Sequence, residues 1–389
     1  MKYRLKILLL SFLCLSRYII FGKATRRQKE FKKIIIFQGA KLGDMVCTTP
    51  MFRAVKEKYP KCTLIVIGNE INKHLLEYNS DVDGYIIHRD ESIFSTIKKI
   101  KKESPNFGCI AGPGFLNLAI LYLAGIPLIA APEIKNGQCP LETKNYKILR
   151  SLVRARPHHM GQYAPREYLR LLEVIDIHTE NTKKYLAFSK KADVIATKFL
   201  EKRSIRQDDF LVGISPTAGN KIKEWPVNRF AEVADYIIDK YNARILLFGG
   251  PQDTDVVEGM MSHIKNSRSV INAQGVFNLD EFKAMMSILK LFISVDTGPI
   301  YVAEAFGIPT IDIVGPMDER EQPPVGKVHK VVVAPREVAQ LHIMNARLYD
   351  REEARRQVDA IMTKDVFAAI DDIIIKLKNN YEGNNSILI

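Results

Sequence analysis

Residues 34–44 read Ile34-Ile35-Ile36-Phe37-Gln38-Gly39-Ala40-Lys41-Leu42-Gly43-Asp44. Four large apolar residues in a row, closed by a glycine, predict a strand over 34–38 that is buried on both faces, because a half-buried strand would alternate. Helical spacing follows over 45–59 and stops at Pro60, which cannot continue a helix. Strand, glycine turn and helix together make the opening of a β/α unit. The pattern recurs, with further strands expected at 63–67, 84–87, 108–111 and 127–130 and helices between them. Such alternation predicts a parallel sheet covered by helices on both faces.

The pattern decays in a polar, basic stretch over 183–209 and then restarts. Strands are expected at 210–215, 244–248, 270–272, 291–295 and 310–314, and Asn228 is the expected cap of a helix running to about residue 240. The strand at 244–248 ends in Gly249-Gly250-Pro251, and the strand at 291–295 ends in Asp296-Thr297-Gly298-Pro299. A chain of 389 residues is too long for one ordinary core. The expected class is therefore α/β, with two Rossmann-like domains facing a cleft. The first domain is expected over 33–200 and the second over 201–362. A C-terminal helix and tail over 363–389 would pack back on the first domain.

The composition, 47% hydrophobic and 26% charged, can build real cores. The net charge of +13 is local: residues 1–33 hold ten basic side chains and one acid, Glu30. That leaves +4 for the rest, too little for a basic stripe on the fold, so a nucleic-acid partner is not expected. Residues 7–21 read ILLLSFLCLSRYIIF within this basic arm. No small-x-small cleavage site follows the run, and it is short for a spanning helix. The arm over 1–32 is expected to lie on the inner face of the cytoplasmic membrane, in preference to packing on the protein's own surface. The five cysteines form no CxxC pair and no metal spacing, so reduced, packed thiols are expected. Neither half carries GxGxxG, which disfavours a dinucleotide dehydrogenase.

Three loops could hold chemistry. The turn at Gly39, Lys41, Gly43 and Asp44 lies at a strand's carboxyl end, where ligands gather. Asp44 could take a proton from an acceptor hydroxyl or could simply cap the helix, and the motif alone leaves these even. Asp296-Thr297-Gly298-Pro299 opens another helix, whose N–H groups make an anion site without a metal. Asp296 itself is expected to hold that loop through backbone N–H groups. Around Thr217 and Gly219, Lys223 could neutralise a departing diphosphate, while Trp225 is expected to pack. Gln252 and Asp253, after Gly249 and Gly250, could accept from ribose hydroxyls. His158, Arg166 and Arg170 are weaker candidates for an anionic acceptor.

Together these segments resemble glycosyltransferase family 9, the ADP-heptose:lipopolysaccharide heptosyltransferases. The matching stretches are GAKLGDMVCTTPMFRAVKEKYP from Gly39, KEWPVNRFAEVADYI from Lys223, LFGGPQD from Leu247 and SVDTGPIYVAEAFGIPTIDIVGP from Ser294. The resemblance spans about 33–377. It implies a GT-B fold and an inverting, metal-independent transfer with no cofactor. The implied donor is a nucleotide-diphosphate heptose such as ADP-heptose, and the implied acceptor a lipopolysaccharide-type glycolipid. Asp44 matches the family's general base, Lys223 its phosphate-contacting lysine, and Asp296, Thr297 and Gly298 its donor-phosphate loop. Lys41 and Arg53 would meet acceptor phosphate or acidic sugar. Three residues after Gly298 the family usually has His; here Tyr301 keeps a hydrogen bond but carries no positive charge near pH 7. Two rival readings stand beside this one: a GT-B transferase for another nucleotide sugar, and a non-catalytic nucleotide-sugar-binding protein in a membrane glycan-assembly complex.

Overall fold

The isoleucine run forms strand β1 (Lys33–Phe37), whose side chains from Ile34 on are buried. In this computed structural model, which describes residues 2–26, 30–89 and 93–385, the chain divides into two compact units. One comprises Met1–Tyr185 with His342–Leu348; the other comprises Leu186–Leu341 with Tyr349–Ile389.

In the first unit β1 pairs in parallel with β2 (Thr63–Gly68) and β4 (Phe107–Ile110). Outside these lie β3 (Gly84–Ile87), β5 (Leu128–Lys135) and β6 (Arg154–His159), giving the order β3-β2-β1-β4-β5-β6. Strand β6 was not expected. It is an edge strand reading RARPHH, and edge strands carry charge and proline in place of an apolar pattern. Helix α2 (Leu42–Lys58) leaves β1 through the 39–41 turn.

The second unit repeats the plan with β7 (Leu211–Ser215), β8 (Arg244–Leu247), β9 (Val270–Asn272), β10 (Leu291–Val295), β11 (Thr310–Ile313) and β12 (His329–Val332). They are all parallel, in the order β12-β11-β10-β7-β8-β9. The edge strand β12 was likewise unforeseen. Two parallel six-stranded Rossmann-like sheets make this the GT-B class of α/β fold.

Three boundaries differ from expectation. The polar stretch after residue 183 contains helix α8 (Lys190–Glu201), capped by the Ser189 hydroxyl on Ala192 N. It packs on α11 (Leu279–Ile288), and Ser189 donates to Asp280 at 2.7 Å, so the second unit begins before residue 200. Helix α9 (Val227–Tyr241) starts at Pro226, which places Asn228 inside its first turn and not at the cap. The terminal helix α14 (Thr363–Asn385), expected on the first domain, belongs to the second unit. Val366, Ile370, Ile373 and Ile374 enter the core of the second, against α9, β11 and β12.

The N-terminal arm is no loose appendage either. Helix α1 (Lys2–Phe21) packs on α5 (Phe115–Leu123), burying Leu10 and Cys14 in the core of the first unit. Arg17 lies 4.3 Å from the Tyr122 ring centroid, and backbone bonds from Ala24 to Leu152 and Ile129 tie down its exit. No helix among the described residues is long and apolar enough to cross a membrane.

Candidate active site

Ligands of open α/β sheets bind beyond the carboxyl ends of the strands where the strand order reverses. In the first unit that point lies between β1 and β4, at the 39–44 turn. The turn is held from below. Gln38 donates to Thr48 Oγ1 at 3.0 Å and accepts from Ala40 N at 3.1 Å, and Asn69 and Asn72 both donate to Ala40 O at 3.0 Å. Asp44 is half-buried in the first turn of α2, where its Oδ2 accepts from Lys41 N at 3.2 Å. The capping bond is thus present. A carboxylate offers about four lone-pair sites, so capping fixes its orientation without excluding proton transfer. Gly43 is buried beside it and Lys41 is exposed at the cap.

The other first-unit candidates each have partners of their own. Arg53 lies nine residues further along α2, about 13 Å away at 1.5 Å per residue. Its guanidinium pairs with Asp81 at 2.8 Å and sits 4.6 Å from the Tyr185 ring centroid, so its geometry is that of a packing cation. His158 is buried on edge strand β6, with its ring 5.9 Å from that of Tyr168. Arg166 is exposed and pairs with Glu180 at 2.7 Å, whereas Arg170 turns to Glu167 at 2.9 Å. Glu167 was missed: it is 2% exposed and also accepts from His159 N at 2.7 Å.

The second unit gathers its candidates more tightly. Its order reverses between β7 and β10, and the loops after these strands meet through Lys223 Nζ, 2.7 Å from Asp296 Oδ2. Tyr301, one turn into α12 (Gly298–Ala305) and 2% exposed, donates its hydroxyl to Asp296 Oδ1. Asp296 is therefore held by side chains from two other segments, where backbone N–H groups were expected. Thr297 is the N-cap of α12, yet its side chain makes no capping bond, and Pro299 occupies the first turn. The start of α12 and Lys223 thus meet at Asp296.

Asp253, expected near a ribose, is turned inward. It is 8% exposed and accepts from Thr217 Oγ1 at 2.9 Å and Gly250 N at 2.8 Å, clamping the loops after β7 and β8 together. Gly249 is closely packed in this clamp: a Cβ there would lie 3.0 Å from Val257 and 3.3 Å from Asp253, so a larger residue would need these side chains to shift. Gln252 is exposed at the loop tip and Gly219 at the crest of the neighbouring loop. Glu224, also missed, accepts from Ala218 N at 2.9 Å and Lys221 Nζ at 2.8 Å, bracing the loop that carries Lys223. Trp225 packs as expected, with Nε1 on Ile361 O at 3.0 Å and its ring against Phe230.

Beneath this corner lies Asp312 on β11, fully buried and, among the described residues, without a hydrogen-bond partner. Burial, reinforced by the nearby Asp296 charge, pushes its carboxyl well above the ordinary 3.8, with Lys223 opposing. The folded chain keeps a proton that the unfolded chain releases. This linkage costs nothing below the ordinary pKa and lowers stability progressively as pH rises from there to the folded-state value. Asp312→Val should therefore raise stability at pH 8 by about 1–3 kcal/mol, the cost of an unpartnered buried polar group. The gain should shrink toward pH 4 in urea titrations. Equal or lower stability at pH 8 would show that Asp312 has a partner.

Two parallel Rossmann-like units bearing strand-end loops define the GT-B class of fold. The sequence model of glycosyltransferase family 9 (heptosyltransferase) matches residues 121–347. Lipopolysaccharide heptosyltransferase 3 of Escherichia coli is 22% identical over 287 residues, 71% of this chain and 80% of its own. Lipooligosaccharide heptosyltransferase 2 of Haemophilus ducreyi is 24% identical over 315 residues, 76% of this chain and 86% of its own. Among solved structures, a family 9 glycosyl transferase from Veillonella parvula superposes with TM-score 0.72 at 19% identity, covering 90% of this chain and 99% of that one. E. coli ADP-heptose lps heptosyltransferase II superposes at 0.68 and 16% identity, covering 89% and 99%. The chain belongs to glycosyltransferase family 9, the heptosyltransferase family, and is an enzyme of that kind.

Proposed function

We propose that this enzyme transfers a heptose from ADP-heptose to a lipopolysaccharide-type glycolipid at the inner surface of the cytoplasmic membrane, inverting the anomeric centre without a metal. The observation that carries the donor reading is the Lys223–Asp296 contact beside the N-terminus of α12. A helix N-terminus offers a departing diphosphate a positive field, and Lys223 adds its charge where it exchanges Asp296 for phosphate. Relatives and neighbours named for ADP-heptose and lipopolysaccharide support the choice of donor and acceptor. The exposed apolar side of α1 supports the membrane.

In the proposed reaction Asp44 accepts the proton of an acceptor hydroxyl as that oxygen bonds to the anomeric carbon. The carbon–oxygen bond to the diphosphate breaks on the opposite face, its electron pair leaving on the diphosphate, which Lys223, Thr297 and the α12 N–H groups receive. One displacement from the opposite face inverts the centre.

Tyr301 bears on donor choice. Its hydroxyl donates to Asp296, so it bears on the donor corner through that carboxylate. A thermal-shift comparison of ADP, UDP and GDP tests the base, since a specific ligand stabilises by mass action, about 2.7 kcal/mol at a hundred times its Kd. ADP should give the largest shift. A larger shift with UDP or GDP would replace the heptose reading with transfer from another nucleotide sugar.

A further inference from the structure

Helix α1 is apolar on two opposite sides, and among the described residues only one of them is packed against the protein. Leu10 and Cys14 face the core, and Ser11 accepts from Asn145 Nδ2 at 3.0 Å. On the other side Leu5, Leu8, Phe12, Leu15, Ile19 and Ile20 are 56–74% exposed. They recur at helical spacing and form one continuous stripe. The first acid in the chain is Glu30, and the basic residues Arg4, Lys6, Lys23 and Arg26 flank the stripe. An apolar stripe between basic ends, on a helix too short and charged to span, matches an anionic lipid surface.

Beside α1 a pocket of about 360 Å³ opens over the carboxyl ends of β4 and β5. Ile7 of α1, Phe115, Leu116 and Leu141 give it an apolar wall; Asn117 and Asn145 give it amides. Asn117 Nδ2 lies 3.5 Å from where a Cβ on Gly39 would sit, which puts the pocket one side chain from the turn bearing Asp44. The volume is within the range of about 300–1,000 Å³ usual for small-ligand sites.

We infer that α1 lies in the plane of an anionic lipid surface and that this pocket seats the lipid-proximal saccharide of the glycolipid acceptor, guiding it from the membrane to the 39–44 turn. This deepens, and rests on, the glycolipid-acceptor reading above. Apolar walls suit the acyl-linked end of such a molecule and the amides suit its hydroxyls. The helix thus delivers the acceptor as well as anchoring the enzyme.

The test is co-flotation of the full chain, without donor, on three kinds of vesicle: phosphatidylcholine alone, with phosphatidylglycerol, and with phosphatidylglycerol plus heptose-deficient lipopolysaccharide. Wild type should ignore the first and bind the second. It should bind the third at least about tenfold more tightly, as two linked contacts do. Phe12→Glu with Ile19→Glu should abolish binding to the second. Leu116→Trp and Leu141→Trp, both on the pocket wall, should keep binding to the second and lose the tenfold increment. Unchanged flotation of the α1 variant, no increment in wild type, or a full increment in both tryptophan variants would each overturn the inference. The ADP thermal shift, read on the same preparations, reports folding and the donor reading independently. A missing ADP shift beside intact flotation would fault the donor reading alone.

Discussion

Asp44→Ala is expected to cut turnover by about 10²–10⁴-fold, the range for a lost general base, while leaving the ADP thermal shift intact. The separation follows from where the residues lie: Asp44 is in the first unit, and every proposed phosphate contact is in the second. The capping bond to Lys41 N complicates a simple alanine result, since its loss costs about 0.5–2 kcal/mol of helix stability. Asp44→Asn resolves this. Its amide oxygen can still accept from Lys41 N but cannot take a proton, so it should be as inactive as alanine and as stable as wild type. If instead asparagine restored turnover, capping would be the whole role of Asp44.

The second large effect concerns Lys223. Its ammonium is the partner of a carboxylate whose side chain is only 4% exposed. Lys223→Ala leaves Asp296 buried with Tyr301 as its remaining side-chain donor and Asp312 nearby. Breaking a buried pair from one side costs on the order of 3–5 kcal/mol, and losing a preorganised charge at a leaving group costs about 10²–10³ in turnover. Stability and chemistry should part company in the double variant Lys223→Met with Asp296→Leu. Replacing both charges with apolar groups of similar volume should recover most of the stability in urea titrations. The ADP thermal shift should remain lost. Recovery of both together would assign the pair to scaffolding alone.

How much of this could be read from the amino acids depended on what each residue faced. The run Ile34-Ile35-Ile36-Phe37 is buried on both sides, so its apolarity was continuous and the strand was plain. Glycine and aspartate at the helix start marked the turn, and the same logic found the 296–299 loop. Edge strands β6 and β12 escaped because an edge needs no apolar pattern. Helix α14 carries Val366, Ile370, Ile373 and Ile374 on one face, which predicts burial but not against which sheet. The polar roles were the least legible. Asp253 and Gln252 look alike in a glycine turn, and only the fold shows that Thr217 and Gly250 N claim Asp253. The strand at 310–314 was expected, but only the fold shows that β11 lies inside the sheet and buries both faces, Asp312 included. For Arg53, only the fold brings Asp81 and Tyr185, 28 and 132 residues away, against the guanidinium.

The deciding measurement is ADP release from ADP-heptose by the full chain and by its Asp44→Ala variant, each with and without heptose-deficient lipopolysaccharide in anionic vesicles. Acceptor should accelerate release by wild type and leave the variant at the rate seen without acceptor. Release by wild type that ignores the acceptor, or a variant that responds to it as wild type does, would contradict a transfer in which a first-unit carboxylate activates the hydroxyl and the second unit receives the diphosphate.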